Sequence, residues 1–127
     1  MDSSLIIALA DTDDQFHKTA VQVAPELHSE KVISDLVVSE SVTGVGARLG
    51  ERAGREVFEN LVHDPTVKTI HLNKRLMERS LQTYVKHGAR LSFADSVSVR
   101  IMYDMRIKEI ASFDSDFDGI EGITRIH

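Results

Sequence analysis

The chain has 127 residues, 42% of them apolar and 28% charged, which suits one globular domain with a single buried core. It has no cysteine, so disulfides and thiolate metal sites are excluded, and its longest apolar stretch, residues 5–10, is far too short to span a membrane. With 20 acids against 15 bases the net charge is −5, which argues against coating nucleic acid by bulk charge but not against acids that hold cations.

Asp2 heads the segment Ser3-Ser4-Leu5-Ile6-Ile7-Ala8-Leu9 and reads as the cap of a first helix. Asp11, Asp13 and Asp14 lack the continuation of an EF-hand, so a solvated loop is expected, with His17 in it either on the surface, the preferred reading, or facing substrate. Ala20, Val21, Ala24 and Leu27 suggest a second helix, which Pro25 weakens. Val32-Ile33 and Leu36-Val37-Val38 flank Ser34-Asp35 and predict a buried strand ending near Ser39. Residues 41–62 predict one long helix, with Ala47, Gly50 and Gly54 along one side. These small residues suit either core packing or a dimer interface. On the same helix Arg48, Arg52 and Arg55 form a stripe, either a solvated face or a contact to phosphates.

A strand is expected over residues 66–72. A helix starts near Asn73, with Met77, Leu81, Tyr84 and Val85 on one face and Gly88 as its stop. "LSFADSVSVR", residues 91–100, opens another helix whose face is Ala94, Val97, Ile101 and Met105. Ser92-Phe93-Ala94-Asp95 fits a capping box there. Two short strands follow at residues 110–113 and 120–126, the last an edge strand.

Helices alternating with short apolar strands predict a layered α/β domain with a mostly parallel sheet. Ligands in such folds sit at the carboxyl ends of strands, so the acids of interest follow a strand or open a helix. Glu40 follows the strand ending near Ser39, Asp114 follows residues 110–113, Asp95 opens a helix, and Asp2 stands at the start. Taken singly, each has a structural explanation as a cap, a turn former or a first-turn acid. The histidines, at positions 17, 28, 63, 71, 87 and 127, lack any ligand spacing, so no zinc site is expected. P-loop, dinucleotide-binding and nucleophile-elbow motifs are absent.

The four segments "DSSLIIALAD", "ISDLVVSESVT", "LSFADSVSV" and "IASFDSDFDGIEGI", in this order and at this separation, resemble PIN domains. More narrowly, the chain resembles the VapC-type ribonuclease toxins, over nearly its whole length. The motifs are weak one by one and specific together. The resemblance implies a single domain over residues 1–127, three-layered α/β/α, with a mostly parallel central sheet and acids gathered at its carboxyl edge. It assigns Asp2, Glu40, Asp95 and Asp114 as the catalytic, metal-binding acids, with Asp2 at the edge of the cluster, and Ser4 and Asp116 as supporting residues. The implied activity is divalent-metal-dependent cleavage of RNA phosphodiester bonds, with Mg²⁺ or Mn²⁺ as cofactor. RNA, a small antitoxin protein and a second copy of the chain are the implied partners, and the cytoplasm the implied location. In that family several apolar residues precede the first acid, whereas only Met1 precedes Asp2 here. The first strand is therefore expected to be truncated or to begin upstream. A PIN-like module that binds RNA or protein without catalysis is the competing reading. A phosphoryl-accepting receiver pocket fits less well, since Phe113 is followed by Asp114 rather than by lysine.

Overall fold

Hydrogen bonds from side chains to backbone set the starts of three helices. The computed structural model describes residues 1–27 and 30–127, so the expectation for His28 lies outside the described residues. In chain order the elements are α1 (Ser3–Ala10), α2 (His17–Val23), β1 (Lys31–Ser34), α3 (Asp35–Leu49), α4 (Glu51–His63), β2 (Val67–Ile70), α5 (Lys74–Lys86), α6 (Phe93–Met105), β3 (Glu109–Ala111) and β4 (Thr124–Ile126). Single 3₁₀ turns occupy Ala24–Glu26, where Pro25 sits, and Ser115–Phe117.

The strand expected to reach Ser39 stops at Ser34. The Ser34 Oγ accepts the Val37 N–H at 3.2 Å, an N-cap that turns the apolar run Leu36-Val37-Val38 into the first turn of α3. Asn73 and Ser92 cap α5 and α6 in the same way, accepting from the Leu76 and Asp95 N–H groups at 2.8 and 3.0 Å. The single helix expected over residues 41–62 is two helices broken at Gly50, whose φ of 96° suits glycine. Gly54 then lets α4 lie on α3: a Cβ there would come within 3.1 Å of the Val42 carbonyl oxygen and 3.4 Å of the Gly46 Cα. Gly54 is thus buried inside the α3–α4 hairpin and is unavailable to a second copy. The arginine stripe is also divided, because Arg48 belongs to α3 and Arg52 and Arg55 to α4.

Among the described residues all strand pairing is parallel. β1 pairs with β2, in the register Lys31 to Val67, and β3 with β4, in the register Glu109 to Thr124. The expected central sheet is therefore two separate pairs. The segment Met1-Asp2 lies between them: the Met1 amine donates to the Val32 carbonyl at 3.2 Å, and the Asp2 N–H to the Ala111 carbonyl at 3.0 Å. Alongside this short bridge a cleft of about 490 Å³ opens, with Val32 and Ile33 of β1 on one wall and Ile110 and Ala111 of β3 on the other.

Among the described residues three apolar clusters hold the layers together. Ile6, Ile33, Val37, Val45, Val57 and Leu61 join α1, α3 and α4 to β1. Leu91, Val99, Met102, Ile110, Phe117 and Ile120 join α6 to β3 and the C-terminal turn. Leu5, Ala8, Ala20 and Ala111 join α1 and α2 to β3. Burying the Val, Leu, Ile, Met and Phe side chains among these contributes roughly 1.5–3 kcal/mol each, before the cost of ordering them. The face of α5 read as apolar points outward instead, with Met77, Leu81 and Val85 exposed. Ser80 and Thr83 are the residues α5 buries.

Candidate active site

Asp2 is a buried carboxylate, only 5% exposed, and two hydroxyls hold it. Its Oδ2 accepts from Ser4 Oγ at 2.8 Å and from Ser112 Oγ at 2.7 Å. Ser4 belongs to the first turn of α1 and Ser112 follows β3, so the contact ties the two ends of the chain together. Each serine has one proton to donate, spends it on Asp2, and accepts a backbone amide in return. Ser4 Oγ accepts the Phe113 N–H at 2.9 Å, and Ser112 Oγ accepts the Asp114 N–H at 3.0 Å. Sequence reasoning singled out Ser4 and missed Ser112. The available signal was a hydroxyl, 1% exposed here, at the end of the apolar run Ile110-Ala111 and two residues before Asp114.

Glu40 comes from the second turn of α3, not from the end of a strand as expected. Its Oε2 accepts from Ser3 Oγ at 3.2 Å. Burial pushes its carboxyl above the usual range; the Ser3 hydrogen bond opposes this, and the charge of Asp2 adds to it. Asp95 stands in the first turn of α6, where its own N–H is held by Ser92 Oγ. Its carboxyl is pushed up to about 7. Burial is the largest cause, repulsion by Asp2 follows, the Ser92 hydroxyl partly offsets both, and repulsion by Asp114 and Glu40 adds to the rise. Asp114 lies just beyond β3 and accepts the Asp116 N–H on Oδ1 at 2.9 Å, capping the turn Ser115–Phe117.

Asp2, Glu40, Asp95 and Asp114 therefore share one electrostatic environment, although they come from four distant segments. Asp2, expected at the edge, is the acid whose charge acts on both Glu40 and Asp95. Asp116 is exposed, and it meets Asp114 through its backbone N–H. Of the arginines suggested as phosphate contacts, Arg48 is engaged by Asp14 at 2.6 Å and Asp11 at 3.3 Å.

The all-oxygen donor set suits a hard divalent cation, and crowded acids that repel one another gain most from one. Among the described residues, no three acidic or imidazole groups stand close enough to enclose an ion as they are. The fit is thus one of donor type and charge, with water completing the coordination, as is usual for Mg²⁺.

Comparison with known proteins identifies the fold. The chain matches the PIN domain family over residues 1–123. No curated protein matches it. Among solved structures it is similar to the crystal structure of Mycobacterium tuberculosis VapC20, described as a sarcin–ricin loop cleaving toxin. The TM-score is 0.87 at 26% identity, covering 94% of this chain and 92% of VapC20. The helices, the short parallel strands and this match over nearly the full length establish that the chain belongs to the PIN domain family.

Proposed function

We propose that the protein is a divalent-metal-dependent endoribonuclease, the toxin of a toxin–antitoxin pair. The observation that carries this reading is the gathering of four acids from four segments, with Asp95 pushed up to about 7 by burial and by its acidic neighbours. Structural acids rarely accept such mutual repulsion, whereas acids that share a cation do so routinely. The similarity to VapC20 supports RNA as the substrate class.

In the proposed roles Asp2, Glu40, Asp95 and Asp114 hold Mg²⁺ or Mn²⁺ directly or through water. The bound ion supplies activation of a water and charge stabilisation at the phosphate. Ser4 and Ser112 fix the buried Asp2 in one rotamer, and Ser3 steadies Glu40. Asp116 keeps a supporting part through its hold on Asp114. The helix N-terminus beneath Asp95 favours its ionised form once a cation offsets its neighbours. Calorimetric titration with Mn²⁺, paired with cleavage of RNA before and after chelation, tests the reading. Saturable binding and cleavage that stops on chelation are expected; metal-independent cleavage, or no cleavage, sinks it.

A second reading keeps the fold as a binding module without catalysis. It is favoured by the acids' failure to converge tightly enough to enclose an ion unaided. RNA binding without cleavage at saturating Mn²⁺ would select it.

The proposed partners are RNA, a small antitoxin and a second copy of the chain; the proposed location is the cytoplasm. Among the described residues no helix is long and apolar enough to cross a membrane. With Gly54 consumed inside α3–α4, the outward face of α5, with Met77, Leu81 and Val85, is the better candidate for self-association. Light scattering at micromolar concentration should return a dimer mass, and monomer alone would remove the homodimer.

A further inference from the structure

Phe16 is a partly exposed aromatic ring. It is 37% exposed, yet it stacks face to face on Phe113, with centroids 4.7 Å apart and ring planes 4° from parallel. Phe113 immediately precedes Asp114, and its N–H is bound by Ser4 Oγ, the hydroxyl that also holds Asp2. The stack is therefore anchored one residue before Asp114, and the Phe113 ring packs on the apolar cluster of Leu5, Ala8, Ala20 and Ala111 beside the acids' segments.

The loop that carries Phe16 is held at several points. The Phe16 N–H donates to Asp14 Oδ1 at 2.8 Å, and the Asp13 N–H to Asp11 Oδ1 at 3.0 Å. His17 Nδ1 meets the Ala8 carbonyl at 2.7 Å, anchoring the start of α2 to α1. Arg48 spans Asp11 and Asp14, pinning the loop to α3 and offsetting two acids that would otherwise repel an approaching phosphate. A ring fixed in this way loses little conformational freedom when another flat group stacks on it.

We propose that Phe16, backed by Phe113, is a stacking platform for an unpaired nucleobase of the RNA, one that flanks the phosphodiester held at the acids. This deepens the nuclease reading and rests on it. Sequence-specific recognition of RNA falls mainly on unstacked bases laid on aromatic rings, and such stacking tolerates any base because each has a π-face. An acidic chain with net charge −5 gains little from general phosphate attraction, so a contact to the base itself supplies hold where charge does not.

The test compares wild type with Phe16→Leu, which keeps apolar cover over Phe113 but removes the π-face, and Phe16→Trp, which keeps the π-face. Each is assayed on short single-stranded RNAs with Mn²⁺, and on the same RNAs carrying a fluorescent purine analogue, read by stopped flow before turnover. Phe16→Leu should raise KM about 10-fold with little change in kcat and should abolish the quench of the analogue, while Phe16→Trp restores both. Phe16→Leu should melt slightly below the other two, because it gives up the stack on Phe113, while remaining fully folded at the assay temperature. If Phe16→Leu leaves KM and the quench as in wild type while cleavage proceeds, the platform is overturned and the nuclease stands. If wild type neither cleaves nor binds RNA, the nuclease reading falls, and the platform with it.

Discussion

Asp95 does two things at once. Its backbone N–H completes the cap of α6 on Ser92, while its carboxylate lies under the repulsion of Asp2, Asp114 and Glu40. Replacement by asparagine keeps the shape and the cap but removes the charge a cation needs. Asp95→Asn should therefore cut RNA cleavage by at least ~100-fold, about 2.7 kcal/mol of transition-state stabilisation, and weaken Mn²⁺ binding. It should melt no lower than wild type in chelator, since it relieves repulsion; a lower melting temperature with metal affinity unchanged would make Asp95 purely structural. Ser112 makes the complementary case. Ser112→Ala removes a hydroxyl from the buried Asp2 and an acceptor from the Asp114 N–H, which should cost roughly 1–3 kcal/mol in urea denaturation.

Two helical hairpins pack by different means. In α3–α4 the contact is steric, so Gly54→Val should push α4 away from the Val42 carbonyl and cost about 1–3 kcal/mol, whereas Gly46→Ala, with nothing within 4 Å of its Cβ, should be tolerated in the same thermal melts. In α5–α6 the contact includes an ion network, with Asp104 accepting from Arg79 at 2.6 Å on both oxygens and from Arg100 at 2.8 Å. Burial alone would raise the Asp104 carboxyl, but the hydrogen bonds and charges of the two arginines outweigh it and hold it below the usual value. A lowered folded value means stability that is present above the unfolded carboxylate range and lost as pH falls through the folded value. Asp104→Asn should thus be less stable than wild type by ~0.5–1 kcal/mol at neutral pH, and the difference should close on acidification below about pH 4.

For the molecule as a whole, the acids couple the site to the fold. Asp2 donates its N–H to β3, accepts hydroxyls from α1 and from beyond β3, and repels Glu40 on α3 and Asp95 on α6. In the proposed role a cation bound there would stabilise every element that supplies an acid, and only in the folded state. Addition of Mn²⁺ at about 100 times its dissociation constant should stabilise the protein by roughly 2.7 kcal/mol, read as a rise in melting temperature that chelator reverses. A melting temperature indifferent to Mn²⁺ would separate the acids from any cation.

The alternation of short apolar runs with helical periodicities was enough to establish a layered α/β domain, because periods of two and of 3.6 residues are local properties of a chain. Asn73, Ser92 and Gly88 marked their helix ends for the same reason: caps and stops act within a few residues. Local patterns misled where a cap and an apolar run compete. The run Leu36-Val37-Val38 is buried in helix as readily as in strand, and the Ser34 cap made it α3, so Glu40 projects from a helical turn. The apolar residues of α5 were read as sharing one face, and that this face is exposed could not be read, because periodicity reports a face but not its direction. The union of Asp2, Glu40, Asp95 and Asp114 was visible only through family resemblance, since nothing in spacing relates residues up to 112 positions apart. Seating of the Met1-Asp2 segment between β1 and β3 brought Asp2 to the other acids and to Ser112, and Phe16 met Phe113, contacts that depend on side chains meeting across the fold rather than along it.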